Sequence, residues 1–409
     1  MIGRILALAL CILLLLVPMT GCWDYVEYND LAQIIAIGID FDKETNNIVM
    51  SLQFIPTARP GRGSGSEEQS QNNGLVHTAS DTTLFGALAK LQQVVDKNFF
   101  YGYAKILVIG EEAAKNVLLP MMEIHDRSPA IRASSFVVFT PGKAENILGT
   151  IDSSHSEIAG NTLSKLLETV SANGASFSMT IQKFIEMLSI SGIEAVGPCA
   201  VTTVKELEVK GGTIDSIKAN VQKEGKLMIS GLAAFKGGSL VGWLDQKQSL
   251  GFGWITGKKI NAYKFTGSVS GAISDEAYFR VSNTKSKVKV KLINGNVSID
   301  IGLKVTCSLR KYYSFNYTDY LDCKDLNQLE AELSKSIKED IEKALKKGQK
   351  ELQSDIFGFG FEFYRKYPKL WNQKYEKEWD KIFPDVPVNI KVDARITNTG
   401  TNIRNLVVK

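Results

Sequence analysis

The sequence predicts a multi-domain chain of mixed α/β and α+β class, built from mixed β-sheets with packed helices. Three observations predict it. Helical and strand periodicities alternate from residue 81 to residue 190, which implies layered strands and helices. Beyond Gly197 the pattern turns to β segments with tight-turn signals between them. One long amphipathic stretch follows, in which Leu329, Leu333, Ile337, Ile341 and Leu345 recur every four residues. Such a stripe packs a helix on a sheet or on a partner. Of the 409 residues, 44% are hydrophobic and 22% charged, which is ordinary for folded protein. The length suits about two or three domains.

The elements follow in order. The apolar run 34–40, a turn at 42–47 and the run 48–55 read as a hairpin. Between residues 56 and 73 the composition changes to Pro, Gly, Ser, Gln and Asn, a linker unable to bury a core. Asp81 is placed to cap a helix over 82–95, whose Leu84, Leu88, Leu91 and Val95 keep helical spacing. A strand at 105–110, a helix at 111–124, a strand at 134–139 and helices at 142–148, 161–171 and 180–189 complete this region.

Strands are then expected at 200–207, 227–236, 239–244, 268–273, 277–284, 287–293 and 297–307. Gly237-Gly238 and Asn294-Gly295 are the hairpin turns between them. Lys287, Lys289 and Lys291 alternate with Val288 and Val290, the mark of a half-exposed strand or of a lysine stripe facing phosphates. The long helix is expected over 327–356, with Asn327 and Glu330 as a capping box and Gly348 as its weak point. Strands at 387–396 and 403–408 close the chain, with a turn at 398–400.

The chain start carries a second kind of signal. Arg4 precedes an apolar run over 5–17, and Met19-Thr20-Gly21-Cys22 follows. The layout is that of a secretory signal, and cleavage after Gly21 would leave a cysteine first. A bacterial lipoprotein signal has this pattern, with a diacylglycerol on Cys22. A plain signal peptide is the other reading. The run is short of the roughly 20 residues that span a bilayer. Of the remaining cysteines, Cys307 and Cys323 would pair outside the cytoplasm or stay as buried free thiols.

Catalytic and metal chemistry finds little to build on. His77, His125 and His155 are the only histidines, no two at a metal-ligand spacing, and there is no Cys-x-x-Cys. The segment 251–259 resembles a phosphate loop but lacks its first glycine and its Ser/Thr. Asp40, Asp42 and Glu44 hint at a calcium loop, yet Thr45 and Ser51 stand where glycine and glutamate belong. A net charge of +4 does not argue for nucleic acid. The reading is therefore no enzyme, no catalytic residue, no metal, and no cofactor beyond the diacylglycerol on Cys22. Two surfaces are candidates for partners: Arg127 and Arg132 in a short polar loop, and Trp371 and Trp379 in the aromatic run after Gly360. Local salt bridges and core packing are the respective alternatives.

Several segments together resemble the Ger(x)C family, the lipoprotein C subunits of bacterial spore germinant receptors. They are Gly21-Cys22-Trp23-Asp24 leading to Ile37-Gly38-Ile39-Asp40, and His125-Asp126-Arg127-Ser128-Pro129-Ala130-Ile131-Arg132. Gly231-Leu232-Ala233-Ala234-Phe235 with Trp243 and Gly251 follows, then Asp355-Ile356-Phe357-Gly358-Phe359-Gly360 with Trp371 and Trp379. The resemblance covers the whole mature chain in order. It implies a lipid-anchored subunit on the outer face of the spore inner membrane, without enzymatic activity. It would serve assembly or signalling with integral-membrane A and B subunits when nutrients trigger germination.

It also implies a domain plan: a signal over 1–21, a discontinuous N-terminal domain from 22–58 and 196–225, and a linker over 59–77. An inserted α/β domain would take 78–195, and a β-rich C-terminal domain with the long helix would take 226–409. A lipoprotein that binds a solute and hands it to a membrane permease is the alternative function.

Overall fold

The computed structural model describes residues 2–7, 26–55, 75–127, 131–151, 158–170, 174, 176–203, 213–214, 217–219, 223–267, 275–313 and 323–398. The first half runs β1 (Leu31–Asp42), β2 (Asn47–Phe54), β3 (Val76–Asp81), α1 (Leu84–Val94), β4 (Asn98–Phe100) and β5 (Ile106–Gly110). It continues through α2 (Glu111–Asn116), α3 (Leu118–Arg127), β6 (Phe136–Thr140), α4 (Ala144–Leu148), β7 (Thr150–Ile151), α5 (Ala159–Thr169), α6 (Ile181–Ser189) and β8 (Val196–Thr202). Short strands β9 (Thr213–Ile214), β10 (Ile217–Ala219) and β11 (Lys223–Glu224) lead to the hairpin β12 (Leu227–Lys236) and β13 (Ser239–Leu244).

The second half holds α7 (Gln246–Thr256), β14 (Ala262–Gly267), β15 (Asp275–Ile293), β16 (Asn296–Tyr313), α8 (Cys323–Lys346), α9 (Phe359–Lys366), α10 (Glu376–Ile382) and β17 (Val388–Asn398). Mixed sheets with packed helices, an α/β first half and a β-rich second half with one long helix are the predicted class.

An 11-stranded sheet organises the first half, in the order β13-β12-β8-β6-β5-β1-β2-β3-β10-β9, with β4 beside β1. Its centre, β1-β5-β6-β8, is parallel. Parallel strands need crossovers, and α1 to α6 supply them. The sheet is covered on both faces, which explains the unbroken apolar runs in its strands. Ile37, Ile39, Leu107, Ile109 and Phe139 enter one core, and Ile35, Ala36, Ile106, Val108 and Val138 the other, under α4 and α5.

This topology departs from the expected domain plan. Strands from 22–58, 78–195 and 196–225 share one sheet, as does the hairpin β12–β13 from the expected C-terminal domain. The cause is register: β1 pairs with β2 on one side and with β5 on the other, so the helical segment has no sheet of its own.

The second sheet runs β14-β15-β16-β17, with β16 and β17 parallel. The expected breaks at 284–287 and after 307 do not occur. β15 is one strand with a register shift between Val281 and Asn283. Its Lys287, Lys289 and Lys291 face outward while Val290 is buried, as a half-exposed strand requires. Lys291 is paired with Asp300 at 2.5 Å.

On this sheet lies α8, whose Leu329, Leu333, Ile337, Ile341 and Leu345 are all buried. It starts before Asn327, which is therefore not its cap, and it stops before residue 356. A single π turn over Lys347–Leu352 takes in Gly348, and Gln353 at φ 50° ends the run. Between the sheets crosses α7, a helix where the segment 251–259 suggests only an incomplete phosphate loop. Asp245 and Gln248 cap it reciprocally. A methyl on Gly251 would stand 2.7 Å from Ala344 Cβ, so glycine lets α7 and α8 cross closely.

Smaller corrections have local causes. Thr83, not Asp81, caps α1, its Oγ1 accepting the Gly86 N–H at 3.0 Å. Asp81 instead pairs with Lys90 at 2.8 Å. Cys307 is a free buried thiol beside the Arg395 carbonyl, and burial pushes this thiol up to about 12. Residues 56–73 of the expected linker, the strand at 268–273 and the closing strand at 403–408 lie outside the described residues, while Val76 and His77, counted in the linker over 59–77, open β3.

One core cluster runs from Ala32 through both sheets to Ala394, so the halves are not beads on a string. They meet where Phe361 donates its N–H to the Gly192 carbonyl at 2.7 Å. Gly192 sits at φ +82°, and a Cβ there would stand 2.6 Å from the Gly360 carbonyl carbon. Gly192→Ala is therefore expected to destabilise the fold by about 2 kcal/mol or more through strain and clash, measured as a lower denaturation midpoint at unchanged m-value.

Candidate functional site

The residues singled out from sequence fall in three places. Cys22 lies outside the described residues. Arg127, at the end of α3, and Arg132, just before β6, are both exposed. Arg127 stands 3.6 Å from Glu123, an exposed pair of little energetic weight. Two other residues of this same loop region, His125 and Ile131, line an apolar groove of about 130 Å³. Leu84, Phe85 and Leu88 of α1 and Met121 of α3 form its walls over β1. Phe85 is 64% exposed. The arginines do not line this groove themselves; they neighbour its residues His125 and Ile131 in sequence.

Trp371 and Trp379 are not on the surface. They are 1% and 4% exposed, with ring centroids 5.5 Å apart. Phe363 stands 6.1 Å from each. The spacing that put Trp371, Tyr375 and Trp379 on one helix face did so for the core, and the partner-patch expectation for them is withdrawn. Their indole N–H groups point at the seam between the halves: Trp371 donates to Ser191 Oγ at 3.2 Å and Trp379 to Asp355 Oδ2 at 2.8 Å.

Asp355 was not singled out for a role of its own. Its carboxylate also accepts the N–H of Phe359 at 3.1 Å and of Gly360 at 2.7 Å, and so caps the start of α9. Its carbonyl accepts the Glu194 N–H at 2.9 Å. Around it, Ser354 donates to the Phe235 carbonyl at 2.5 Å and Lys236 to the Gln353 carbonyl at 2.7 Å. One buried acid therefore ties α9, the aromatic cluster and the 191–194 loop together. An acid two residues before Phe357-Gly358-Phe359-Gly360, where the expected helix ends, was the available signal.

Asp40 does the same in the first half. It points away from its turn and into the core, where it accepts the N–H groups of Ala144 at 2.7 Å and Glu145 at 3.0 Å. Asp42 instead folds back on the Glu44 N–H at 2.9 Å. The calcium-loop pattern is thus a hairpin turn with one inward carboxylate. Among the described residues, no three His, Cys, Asp or Glu side chains gather as a metal site.

Burial pushes both Asp40 and Asp355 up to about 6, against the pull of their N–H donors. The folded state therefore holds these protons more tightly than the unfolded chain. Their contribution to stability falls as pH rises from about 4 to about 6 and is level above that.

A third feature is a cleft of about 640 Å³ formed by α7, β14, β15, β16 and α8. Its residues all come from the second half, while those of the groove all come from the first.

The comparisons with known proteins follow this geometry. The descriptions "Spore germination protein N-terminal domain" and "Spore germination B3/ GerAC like, C-terminal" match residues 24–201 and 230–400. Spore germination protein KC of Bacillus subtilis (strain 168) is 30% identical over 98% of this chain and 97% of its own length. The chain belongs to the Ger(x)C family of spore germination proteins. A second relative, spore germination protein YndF of the same organism, is 24% identical over 95% of each chain. The crystal structure of the GerBC protein matches with a TM-score of 0.52 at 16% identity, over 89% of this chain and 98% of that one. At that identity the likeness speaks for the fold alone.

Asp355→Ala leaves three buried N–H donors without an acceptor. It is expected to cost about 3 kcal/mol or more, read by denaturant unfolding at pH 7. In the same titrations run from pH 4 to pH 7, Asp355→Asn is expected to show a shallower fall in stability between pH 4 and 6 than the parent.

Proposed function

We propose that this chain is the C subunit of a nutrient germinant receptor. In this reading a diacylglycerol on Cys22 holds it at the outer face of the spore inner membrane. There it serves receptor assembly and signalling, beside integral-membrane A and B subunits, without catalysing a reaction. The observation that carries the reading is the 30% identity to spore germination protein KC over nearly the whole of both chains. Family matches on both halves support it.

The anchor reading has a geometric correlate. Val26 follows Cys22 by four residues, a reach of about 14 Å at full extension. Tyr28, Phe100 and Tyr103 are exposed close to it, since β4 pairs with the start of β1. Amphipathic aromatic rings suit the headgroup level of a bilayer. The Arg127–Arg132 loop, with its apolar groove, is the surface we assign to a partner subunit. A charged fork beside an apolar pocket is the composition of interface anchors.

The solute-binding alternative would set a cleft between two halves. The groove and the 640 Å³ cleft each belong to a single half, which does not favour it.

Two outcomes test the proposal. Spores carrying Cys22→Ala are expected to lose membrane retention of the protein and to germinate poorly on nutrients. Normal germination with a chain shown by mass spectrometry to be unlipidated would overturn the anchor. Paired Arg127→Glu and Arg132→Glu are expected to cut co-purification of A- and B-type subunits at least tenfold from solubilised spore membranes, with the thermal melt unchanged. Undiminished co-purification would move the interface elsewhere.

A further inference from the structure

The cleft of the second half has a charge pattern that neither the fold nor the family reading uses. Its lining carries Lys247 from α7, Lys264 from β14, Arg280 from β15, Arg310 from β16 and Lys343 from α8. Glu339 and Asp340 are the acids facing it. Five cations from five elements converge on one open cavity.

Their partners decide what the cleft can hold. Lys264 is taken up by Glu276 at 2.8 Å, with its ammonium 5.6 Å from the Tyr278 ring centre. Lys247, Arg280, Arg310 and Lys343 make no ion pair with any described residue. Asp340 does not neutralise them at close range. It is buried, and it accepts the Tyr263 hydroxyl proton at 2.8 Å, while Ser336 Oγ stands 2.9 Å from the same hydroxyl. Lys343 and Lys247 act on Asp340 only through space. The floor is thus a fixed hydrogen-bonded set, and the rim carries four cations that pair with no acid among the described residues.

Such an arrangement is unfavourable without a counter-charge. Four like charges around one cavity repel, and a concave site with low-dielectric walls concentrates their field. Ion pairs occupy other charged faces of this molecule, as at Lys291–Asp300 and Lys350–Asp385. Here no described residue supplies a counter-charge in an ion pair. Arginine forks take carboxylate and phosphate oxygens two at a time, and lysines add point charge. The ring of Tyr278 and the side chains of Leu250 and Phe279 offer apolar contact beside them.

We propose that this cleft binds a small anion bearing a phosphate or carboxylate group, seated between Arg280 and Arg310 and flanked by Lys247 and Lys343. The anion is either a free solute or the headgroup of an acidic lipid. The proposal rests on the cleft alone and stands or falls independently of the receptor reading.

The test uses the mature chain without acyl groups, made with Cys22→Ala, and the Arg280→Gln/Arg310→Gln variant of that chain, both exposed positions whose melts should match. Calorimetric titration with inorganic phosphate and with citrate is run at constant ionic strength. Co-sedimentation with phosphatidylglycerol vesicles is run against phosphatidylcholine vesicles. Saturable binding of phosphate or citrate, weakened at least tenfold in the variant, supports the site and names a free solute. Retention on phosphatidylglycerol vesicles alone, lost in the variant, supports the site and names the lipid. No saturable binding to any of the three probes overturns it, and so does binding that the variant leaves unchanged.

Discussion

Much of this structure hangs on one carboxylate that is wholly enclosed. Asp355 is placed where the long helix has stopped and α9 has not begun, and its two oxygens receive three N–H groups. An ionisable group is costly to bury without partners. Its partners come from the α9 start and from Trp379, so the acid is satisfied only when both have folded into place. Gly192 and Gly360 impose the complementary constraint, because the two backbones touch and leave no room for a side chain on either. The seam thus joins a positional demand for an acid to a steric demand for two glycines, and both must be met before the aromatic cluster can close over it.

The periodic part of the fold was legible in the sequence. The first hairpin, the alternation of helices and strands, β12, β13 and the face of α8 all follow from spacing rules that act within one element. Boundaries were less so. The end of α8 was overrun because Ile356 extends the apolar stripe, whereas Gln353 has already turned the chain. The crossing helix α7 was missed because its glycines suggest a loop, and only its packing on α8 explains them.

The sites were harder, for a physical reason. Trp371 and Trp379 were legible as a helix face but not as an inward one, since periodicity gives the face and not its direction. Arg127 and Arg132 were expected in one polar loop, but Arg127 ends α3, and the groove near them needs α1, which lies more than 30 residues earlier. The cationic cleft left no trace, because its charges come from five elements between residues 247 and 343 and no two are adjacent in sequence.

The continuous sheet has a consequence for how the protein can be divided. Sequence similarity separates the chain into matches over 24–201 and 230–400. Hydrogen bonding does not respect that boundary, because β12 pairs with β8 across it and β13 completes the edge. A cut between residues 201 and 230 would leave β8 with a bare edge and strip Phe139 and Phe184 of the Phe235 ring that packs on both. The stretch that evolution treats as two modules is, for folding, one indivisible body, and either fragment alone would carry an open wound where the other had been.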